Sequence, residues 1–215
     1  MHLKRQKIPK NWPIHRKGTK YIVRPNFNLK KGIPILILLR DMLKVCENRK
    51  EVRKAIHSKY ILVNDKLVKN EKNSLALLDK LSILPSKKYY KLNLSKFGKF
   101  EIEEIREPDT HHKVAKIVDK KILKGKKVQL NLADGKNFLS NLSCKVNDSV
   151  VIDFKEGKIK KCLPLKEKSN VLVFAGKHSG KRGIINKIKP ERKIAELEIG
   201  KEKINVLIKQ FMVIE

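Results

Sequence analysis

Two clusters of cations carry most of the chemistry that this sequence offers. The first comprises Arg49, Lys50, Arg53 and Lys54, and it lies between two apolar stretches. Arg49 and Arg53 are spaced so that their side chains lie one turn apart on a helix. A guanidinium group can bind a phosphate through two parallel hydrogen bonds, and lysines add point charges. The residue types and their spacing therefore predict a site that binds a nucleic-acid backbone.

The second cluster is a glycine-rich segment, residues 176–183, with the sequence GKHSGKRG. Glycine permits positive φ and a close approach of another backbone, so the segment is expected to form a tight turn. A phosphate-binding P-loop would lead into a helix, whereas a β-branched strand follows here. We therefore predict a basic hairpin turn that meets an RNA backbone, and the alternative is a turn with solvated lysines. Its relevant residues are the cations Lys177, Lys181 and Arg182 and the structural glycines Gly176, Gly180 and Gly183.

The N-terminal arm, residues 1–32, is a third candidate surface, since its first 31 residues contain no Asp or Glu. Lys4, Arg5 and Lys10 are expected to contact phosphates. For Trp12 two roles stay open: stacking on RNA, or packing back onto the next domain. Because nothing in the arm looks apolar enough to hold it down, we expect it to be mobile in the free protein.

The remaining reactive side chains show no pattern of an active site or a metal site. An acidic cluster at residues 101–109 is interpreted as the exposed face of a strand. His111 and His112 are adjacent, so in a strand they point to opposite faces. The three cysteines are widely separated and show no metal-ligand spacing, as expected in a reducing compartment. We predict no enzyme activity, no metal and no cofactor.

Composition supports a polyanionic partner. The chain has 52 Lys and Arg against 22 Asp and Glu, a formal net charge of +30 over 215 residues. Such an excess repels itself and is usually neutralised by nucleic acid. With 40% hydrophobic residues the chain can still bury cores. No apolar run is long enough for a membrane span, and the basic start lacks a signal-peptide pattern, so we expect a cytoplasmic protein.

Two helices are predicted to position the first cation cluster. Pro34 is expected at the first helical position, and the apolar residues that follow it at spacings of three and four predict one apolar face on this helix. Asn48 and Glu51 predict a capping box that starts the second helix, with Val52, Ala55 and Ile56 on its buried side. Glu51 is the only acid within that helix and is used by the cap. The cations of the helix are therefore expected to lack a balancing acid.

Strands are predicted for most of the rest. A small hairpin with its turn at Asn64-Asp65-Lys66 follows the second helix and leaves Lys59, Lys66 and Lys69 exposed beside it. Residues 70–109 are expected to be strands, including a Tyr89-Tyr90 pair interpreted as strand filling rather than base stacking. Short strands separated by turns at Gly135 and Gly157 suggest a small closed barrel. A further β unit is expected around the glycine-rich segment.

Several motifs in this chain resemble the small-subunit ribosomal proteins of the archaeal and eukaryotic type called S-four-e. Residues 33–68 also look like the RNA-binding module found in bacterial ribosomal protein four, some tRNA synthetases and pseudouridine synthases. Residues 176–183 resemble the KOW motif, which implies an SH3-like barrel. Because eukaryotic members continue beyond the position of Glu215, the resemblance favours an archaeal-type protein. The motifs that carry it are His2-Leu3-Lys4-Arg5, Trp12, Val146-Asn147-Asp148-Ser149, Ile184-Ile185 and Phe211-Met212-Val213-Ile214.

The resemblance implies a multidomain α+β fold. Its expected parts are a basic N-terminal rRNA-binding arm (1–32), an RNA-binding platform of two helices, a hairpin and further strands (33–110), a central small β-barrel (111–168) and a KOW-bearing SH3-like barrel (169–215).

The expected function is that of a structural constituent of the small ribosomal subunit, which binds small-subunit rRNA beside neighbouring ribosomal proteins. The alternative is a non-ribosomal RNA-binding factor, such as a KOW-type transcription or assembly factor. No membrane and no small-molecule substrate is expected as a partner. The residues expected to bind RNA are Lys4, Arg5, Lys10, Trp12, Arg49, Lys50, Arg53, Lys54, Lys59, Lys177, Lys181 and Arg182.

Overall fold

The computed structural model describes residues 2–140, 142–189, 191–200 and 202–214. By its internal contacts the chain divides into two units, one of residues 1–93 and 99–111 and one of residues 94–98 and 112–215. The fold is mostly β with two helical segments, in agreement with the coarse prediction. The four-part division of the chain stays a prediction.

The strands up to residue 105 form three small sheets. β1 pairs with β2, β3 pairs with β6, and a five-stranded sheet has the order β5-β4-β7-β8-β9. The strands are β1 (Leu3–Lys4), β2 (Tyr21–Ile22), β3 (Gly32–Pro34), β4 (Ile61–Val63), β5 (Lys66–Leu67), β6 (Ser74–Ala76), β7 (Lys80–Ile83), β8 (Lys88–Leu94) and β9 (Phe100–Ile105).

The first helical segment is buried over its first five residues. It consists of α1 (Ile35–Ile37), which continues as a π-turn over Leu38–Met42. All residues from 35 to 39 are buried, so the prediction of a single apolar face was wrong. A helix enclosed by the rest of its unit can be apolar all round. Pro34 also differs from expectation, because it ends β3 and precedes the helix rather than starting it.

The second helix, α2 (Arg49–His57), begins as predicted. The capping box of Asn48 and Glu51 is present, and the Glu51 carboxylate accepts hydrogen bonds from the backbone N–H groups of Glu47 (2.8 Å) and Asn48 (3.5 Å). Of the three residues predicted on its buried side, Val52 and Ile56 are buried and Ala55 is half-buried. The amphipathic pattern therefore fixes which face of α2 points outward.

The predicted hairpin is formed by β4 and β5, but its turn has two residues rather than three, because Lys66 pairs with Val63 as the first residue of β5. The turn residues Asn64 and Asp65 both have positive φ (50° and 61°). Two such residues are the mark of a type I′ turn, which matches the twist of the strands. The Asn64 side chain is buried, donates to Asp79 Oδ1 (2.8 Å) and accepts from the N–H of Lys80 (3.0 Å). The turn is thereby bound to β7.

The N-terminal arm packs against its unit through apolar side chains. Leu3, Ile8 and Trp12 are buried, and the indole Nε1 of Trp12 donates to the carbonyl oxygen of Gly32 at 3.2 Å. The premise that nothing apolar holds the arm was therefore wrong. The sequence did not reveal these side chains as core residues, because they lie in a segment without a periodic hydrophobic pattern. Mobility of the arm in the free protein stays a prediction.

The second unit contains two five-stranded antiparallel sheets, ordered β12-β11-β10-β13-β14 and β18-β17-β16-β15-β19. This unit has two buried clusters: one includes Ile117 and Leu130 of the first sheet, and the other includes Ile185 and Phe211 of the second sheet together with Val151 of the first. The strands are β10 (His112–Ile122), β11 (Val128–Leu132), β12 (Asn137–Leu139), β13 (Ser149–Asp153), β14 (Lys158–Leu163), β15 (Asn170–Val173), β16 (Arg182–Lys189), β17 (Ile194–Ile199), β18 (Glu202–Leu207) and β19 (Phe211–Val213).

Two buried lysines connect parts of this unit. Lys116 on β10 donates its Nζ hydrogens to the carbonyl oxygens of Ile208 and Phe211, the latter at 2.8 Å, and its burial lowers the pKa of the ammonium to about 8. Lys113 pairs with Asp134 at 2.7 Å, with both side chains buried. Basic residues in this chain are therefore not all surface charge. In the described part of the chain, no helix is long and apolar enough to cross a membrane.

Replacing Trp12 tests whether the arm is held by packing. We expect W12A to lower the free energy of unfolding by about 3–5 kcal/mol, because a large buried side chain is deleted. W12F keeps most of the burial but leaves the Gly32 carbonyl without its donor, a loss of about 1 kcal/mol. Urea unfolding measures both values. The exposed Lys10 supplies a control, K10A, and equal stability of K10A and W12A would contradict the packing role.

Candidate nucleic-acid interface

One buried carboxylate holds both of the arginines predicted to bind RNA. Glu71, which is only 4% exposed, accepts from Arg49 Nε at 2.9 Å and from Arg49 Nη2. Arg53 spans both carboxylate oxygens, with Nε 3.0 Å from Oε2 and Nη2 3.1 Å from Oε1. The two guanidinium groups are thus fixed side by side.

The expectation that the cations of α2 lack a balancing acid was wrong. Glu71 lies in the loop between β5 and β6, 18 residues after Arg53 and 22 after Arg49, so only the tertiary structure brings it to the helix. The three side chains carry a net charge of +1 (two arginines minus one glutamate). Arg49 and Arg53 remain 49% and 55% exposed, so each still faces solvent with part of its guanidinium group.

The electrostatics of this trio keep the carboxylate ionised. The hydrogen bond from Arg49 lowers the pKa of Glu71, and although burial opposes this effect, the hydrogen bond from Arg53 and both positive charges bring the pKa to about 2. The same hydrogen bond raises the pKa of Arg49. The trio is therefore a stable ion cluster at any physiological pH.

The other platform cations that were predicted to bind RNA point to solvent. Lys50 and Lys54 are exposed on α2, and Lys59 is exposed just after the helix with a φ of 61°. None of the three forms an ion pair with any residue that the structure describes. These lysines therefore supply most of the uncompensated charge on this face of α2.

In the arm, the predicted residues have different environments. Lys4 and Lys10 are exposed. The Arg5 guanidinium is engaged within the arm, donating to the carbonyl oxygens of Thr19 (2.8 Å) and His15 (2.9 Å) and to Thr19 Oγ1 (2.7 Å). Trp12 is buried, so of its two open roles the structure adopts packing, and its ring is not presented for stacking.

The glycine-rich segment joins β15 to β16 and has the backbone that its glycines permit. Gly176 and Gly180 have φ of 89° and 90°. A Cβ at Gly180 would lie 1.8 Å from the carbonyl oxygen of Ser95, and one at Gly183 would lie 2.3 Å from that of Glu198. The close backbone approaches at these two positions are therefore made to the protein itself.

The cations of this segment lie on its surface. Lys177 and Arg182 are exposed, and Lys181 is 3.9 Å from Glu202, whose side chain is 73% exposed. Such a surface ion pair contributes little to stability and leaves the lysine available. No group of three or more His, Cys, Asp or Glu side chains that could hold a metal occurs among the described residues.

The predicted residues fall into two groups, since the arm and platform belong to the first unit and the glycine-rich segment to the second. The residue that sequence reasoning missed is Glu71. Its signal was weak but present, since it is the one acid in the lysine-rich stretch of residues 66–72. A single acid between cations gives no indication of which cations it will meet after folding.

Replacing Glu71 by Gln tests the ion cluster through pH. A carboxylate whose pKa is depressed on folding contributes stability above its unfolded pKa of about 4.5, and this contribution is lost as the pH falls toward 2. The shift corresponds to at most about 3 kcal/mol. We expect wild type to exceed E71Q in unfolding free energy above pH 5 and the difference to vanish near pH 2.

Urea unfolding at stepped pH measures this difference. E101Q, which removes an exposed carboxylate on β9, controls for the change in net charge. A gap between wild type and E71Q that stays constant from pH 7 to pH 2 would contradict the assigned ion cluster.

Two known protein-family models match parts of this chain. A family model described as the RS4NT (NUC023) domain matches residues 1–27, and one described as Ribosomal family S4e matches residues 86–159. Among curated relatives, the small ribosomal subunit protein eS4 of Methanocella arvoryzae is 36% identical over 197 residues, covering 90% of this chain and 83% of the relative. That of Methanothermobacter thermautotrophicus is 35% identical, covering 98% of this chain and 90% of the relative.

A solved structure shares the fold. The 30S ribosomal protein S4e from Thermoplasma acidophilum superimposes with a TM-score of 0.73 at 21% identity, covering 86% of this chain and 95% of that one. The relatives are named as ribosomal proteins, and the family is not one of enzymes. With identities above 30% over nearly the whole chain, the protein belongs to the S4e family of small-subunit ribosomal proteins.

Proposed function

We propose that this protein is a structural constituent of the small ribosomal subunit that binds and stabilises small-subunit rRNA through its basic surfaces. The observation that carries the proposal is the outward face of α2. There the exposed Lys50 and Lys54 flank two arginines whose position Glu71 fixes. The family membership and the net charge of +30 support the same partner.

The proposed mechanism is charge neutralisation combined with fixed geometry. A guanidinium group held in place loses little further side-chain freedom when it meets a phosphate, so binding costs less conformational entropy. The exposed lysines add charge that pairs with neighbouring phosphates. Because the major groove of A-form RNA is closed to side chains, this surface is expected to recognise backbone shape more than base sequence.

The other proposed contacts are the exposed cations of the arm and of the glycine-rich segment. Lys4 and Lys10 are free to reach phosphates, whereas Arg5 contributes with the donors that its contacts to Thr19 and His15 leave over. In the segment joining β15 to β16, Lys177 and Arg182 are the most exposed cations. The five strands around one buried cluster support the proposed SH3-like unit with a KOW motif.

The proposed partners are small-subunit rRNA and neighbouring ribosomal proteins, and the proposed location is the ribosome of the cytoplasm. The alternative function is that of an RNA-binding factor which works free of the subunit. The two differ in how firmly the chain stays with small subunits.

Sedimentation of a cell lysate through a high-salt sucrose gradient separates these functions. We expect the chain to remain in the small-subunit fraction, because an integral ribosomal protein makes many simultaneous phosphate contacts. A washed-off protein found in the soluble fraction would support the free factor. A known integral small-subunit protein, followed in the same gradient, shows that the subunits stayed intact.

Lys50 and Lys54 of α2, together with Lys59 just after the helix, should determine part of the salt dependence of rRNA binding. Each phosphate contact releases counterions, so log Kd changes with log salt by about 0.7–0.9 per contact. We expect K50A/K54A/K59A to bind transcribed small-subunit rRNA more weakly and to lower the slope by about 2 to 3. Filter binding between about 50 and 300 mM KCl measures the affinity and the slope of log Kd against log salt.

A matched triple variant, K121A/K158A/K160A, removes the same charge from exposed positions of β10 and β14. Equal slopes for the two triple variants would mean that only net charge matters and that the α2 face is not a distinct contact surface.

A further inference from the structure

The most exposed apolar side chain among the described residues is Phe97, which is 92% accessible. Burying a phenylalanine side chain stabilises a protein, and almost none of that gain is realised here. The folded structure therefore gives no stability reason for a phenyl group at this position.

Phe97 is at the corner of a tight turn between β8 and β9. The N–H of Gly98 donates to the carbonyl oxygen of Ser95 at 2.9 Å, which makes Phe97 the third residue of a four-residue turn. Gly98 follows with a φ of 73°, a conformation that suits glycine. The turn thus directs the phenyl group away from the chain.

The turn rests on the glycine-rich segment. A Cβ at Gly180 would lie 1.8 Å from the Ser95 carbonyl oxygen and 3.3 Å from the Gly98 nitrogen, and one at Gly98 would lie 3.2 Å from the Ser179 Cβ. Backbone meets backbone here with no room for a side chain. Phe97 is therefore presented from a firm base rather than from a free loop.

The surroundings of Phe97 are cationic and polar. Lys96 is exposed beside it in the turn, and the segment on which the turn rests carries the exposed Lys177 and the partly exposed Lys181. An apolar protein partner would need a wider apolar patch, whereas the neighbours of Phe97 are serine, glycine and lysine. Aromatic rings set among cations are typical of proteins that bind single-stranded nucleic acid, where bases stack and phosphates pair.

We propose that Phe97 is a stacking platform for one unpaired RNA base, with Lys96 and Lys177 holding the adjoining phosphates. The proposal rests on the rRNA-binding function and adds a mode of contact that is not electrostatic. It also gives Gly180 a role, because a residue without a side chain is what allows the turn to sit on this segment.

Replacing Phe97 tests the platform in the full chain, with transcribed small-subunit rRNA as the probe. Base–aromatic stacking contributes about 1–3 kcal/mol per base, so F97A should weaken binding roughly 5- to 150-fold. F97L should weaken binding nearly as much, since leucine is apolar but not planar, while F97W should bind at least as tightly as wild type. The salt slope should stay that of wild type, because no charge is removed.

Two controls separate stacking from other causes. L139A removes an exposed apolar side chain from the edge strand β12 and should leave binding unchanged. Thermal unfolding of F97A should match that of wild type, because the ring is almost fully exposed.

Three outcomes would overturn the proposal. If F97L binds rRNA like wild type while F97A binds weakly, then Phe97 makes a general apolar contact rather than a stacking contact. F97A and F97L binding rRNA normally but leaving the assembled subunit in high salt would indicate a protein partner. No rRNA binding by wild type would defeat the proposed function itself, which distinguishes that failure from failure of the platform alone.

Discussion

The first unit depends on a buried negative charge and the two arginines that neutralise it. An isolated carboxylate in a protein interior costs several kcal/mol, so Glu71 can be buried only because Arg49 and Arg53 both reach it. Burying Glu71 fixes the loop on which it lies. That loop in turn serves α1, whose first N–H groups, of Ile35 and Leu36, donate to the carbonyl oxygens of Asn73 and Glu71 at 2.9 and 3.2 Å.

Several elements therefore depend on one side chain. Just beyond the Glu71 loop, β6 begins at Ser74 and pairs with β3, so the loop that binds α2 through its side chain also leads into a sheet. The apolar stripe of α2 would hold the helix on its core without Glu71, but it would not fix the outward arginines. Exposed cations form a surface of defined geometry only when an acidic partner fixes their orientation.

Close backbone contact has the corresponding role in the second unit. Gly180 and Gly183 allow main chains to approach to distances that any Cβ would prevent. Lys116 adds a polar connection, since its buried ammonium donates to two carbonyl oxygens near β19. The exposed cations of the segment and the phenyl group of Phe97 are thus carried by a backbone arrangement that has little freedom to change. This arrangement favours binding of a partner without a large rearrangement.

The sequence by itself determined the features that depend on near neighbours. Hydrophobic spacing and the Asn48–Glu51 pair were enough for α2, and the Asn64-Asp65 turn was enough for the hairpin, because capping and turn preferences act within a few residues. The excess of cations and the order of the motifs were enough for the class of protein. All of these signals can be read from the amino-acid sequence without knowledge of the tertiary structure.

The tertiary structure alone decided which cations are paired and which apolar residues are covered. Glu71 reaches arginines 18 and 22 residues away, Trp12 packs beneath Gly32, and Ser95 meets Gly180, none of which follows a periodic pattern. The exposure of Phe97 also depends on the tertiary structure, because phenylalanine is a residue type typical of protein cores and is nevertheless exposed here. Contacts between distant segments depend on how complete units pack, and a local pattern carries no information about that packing.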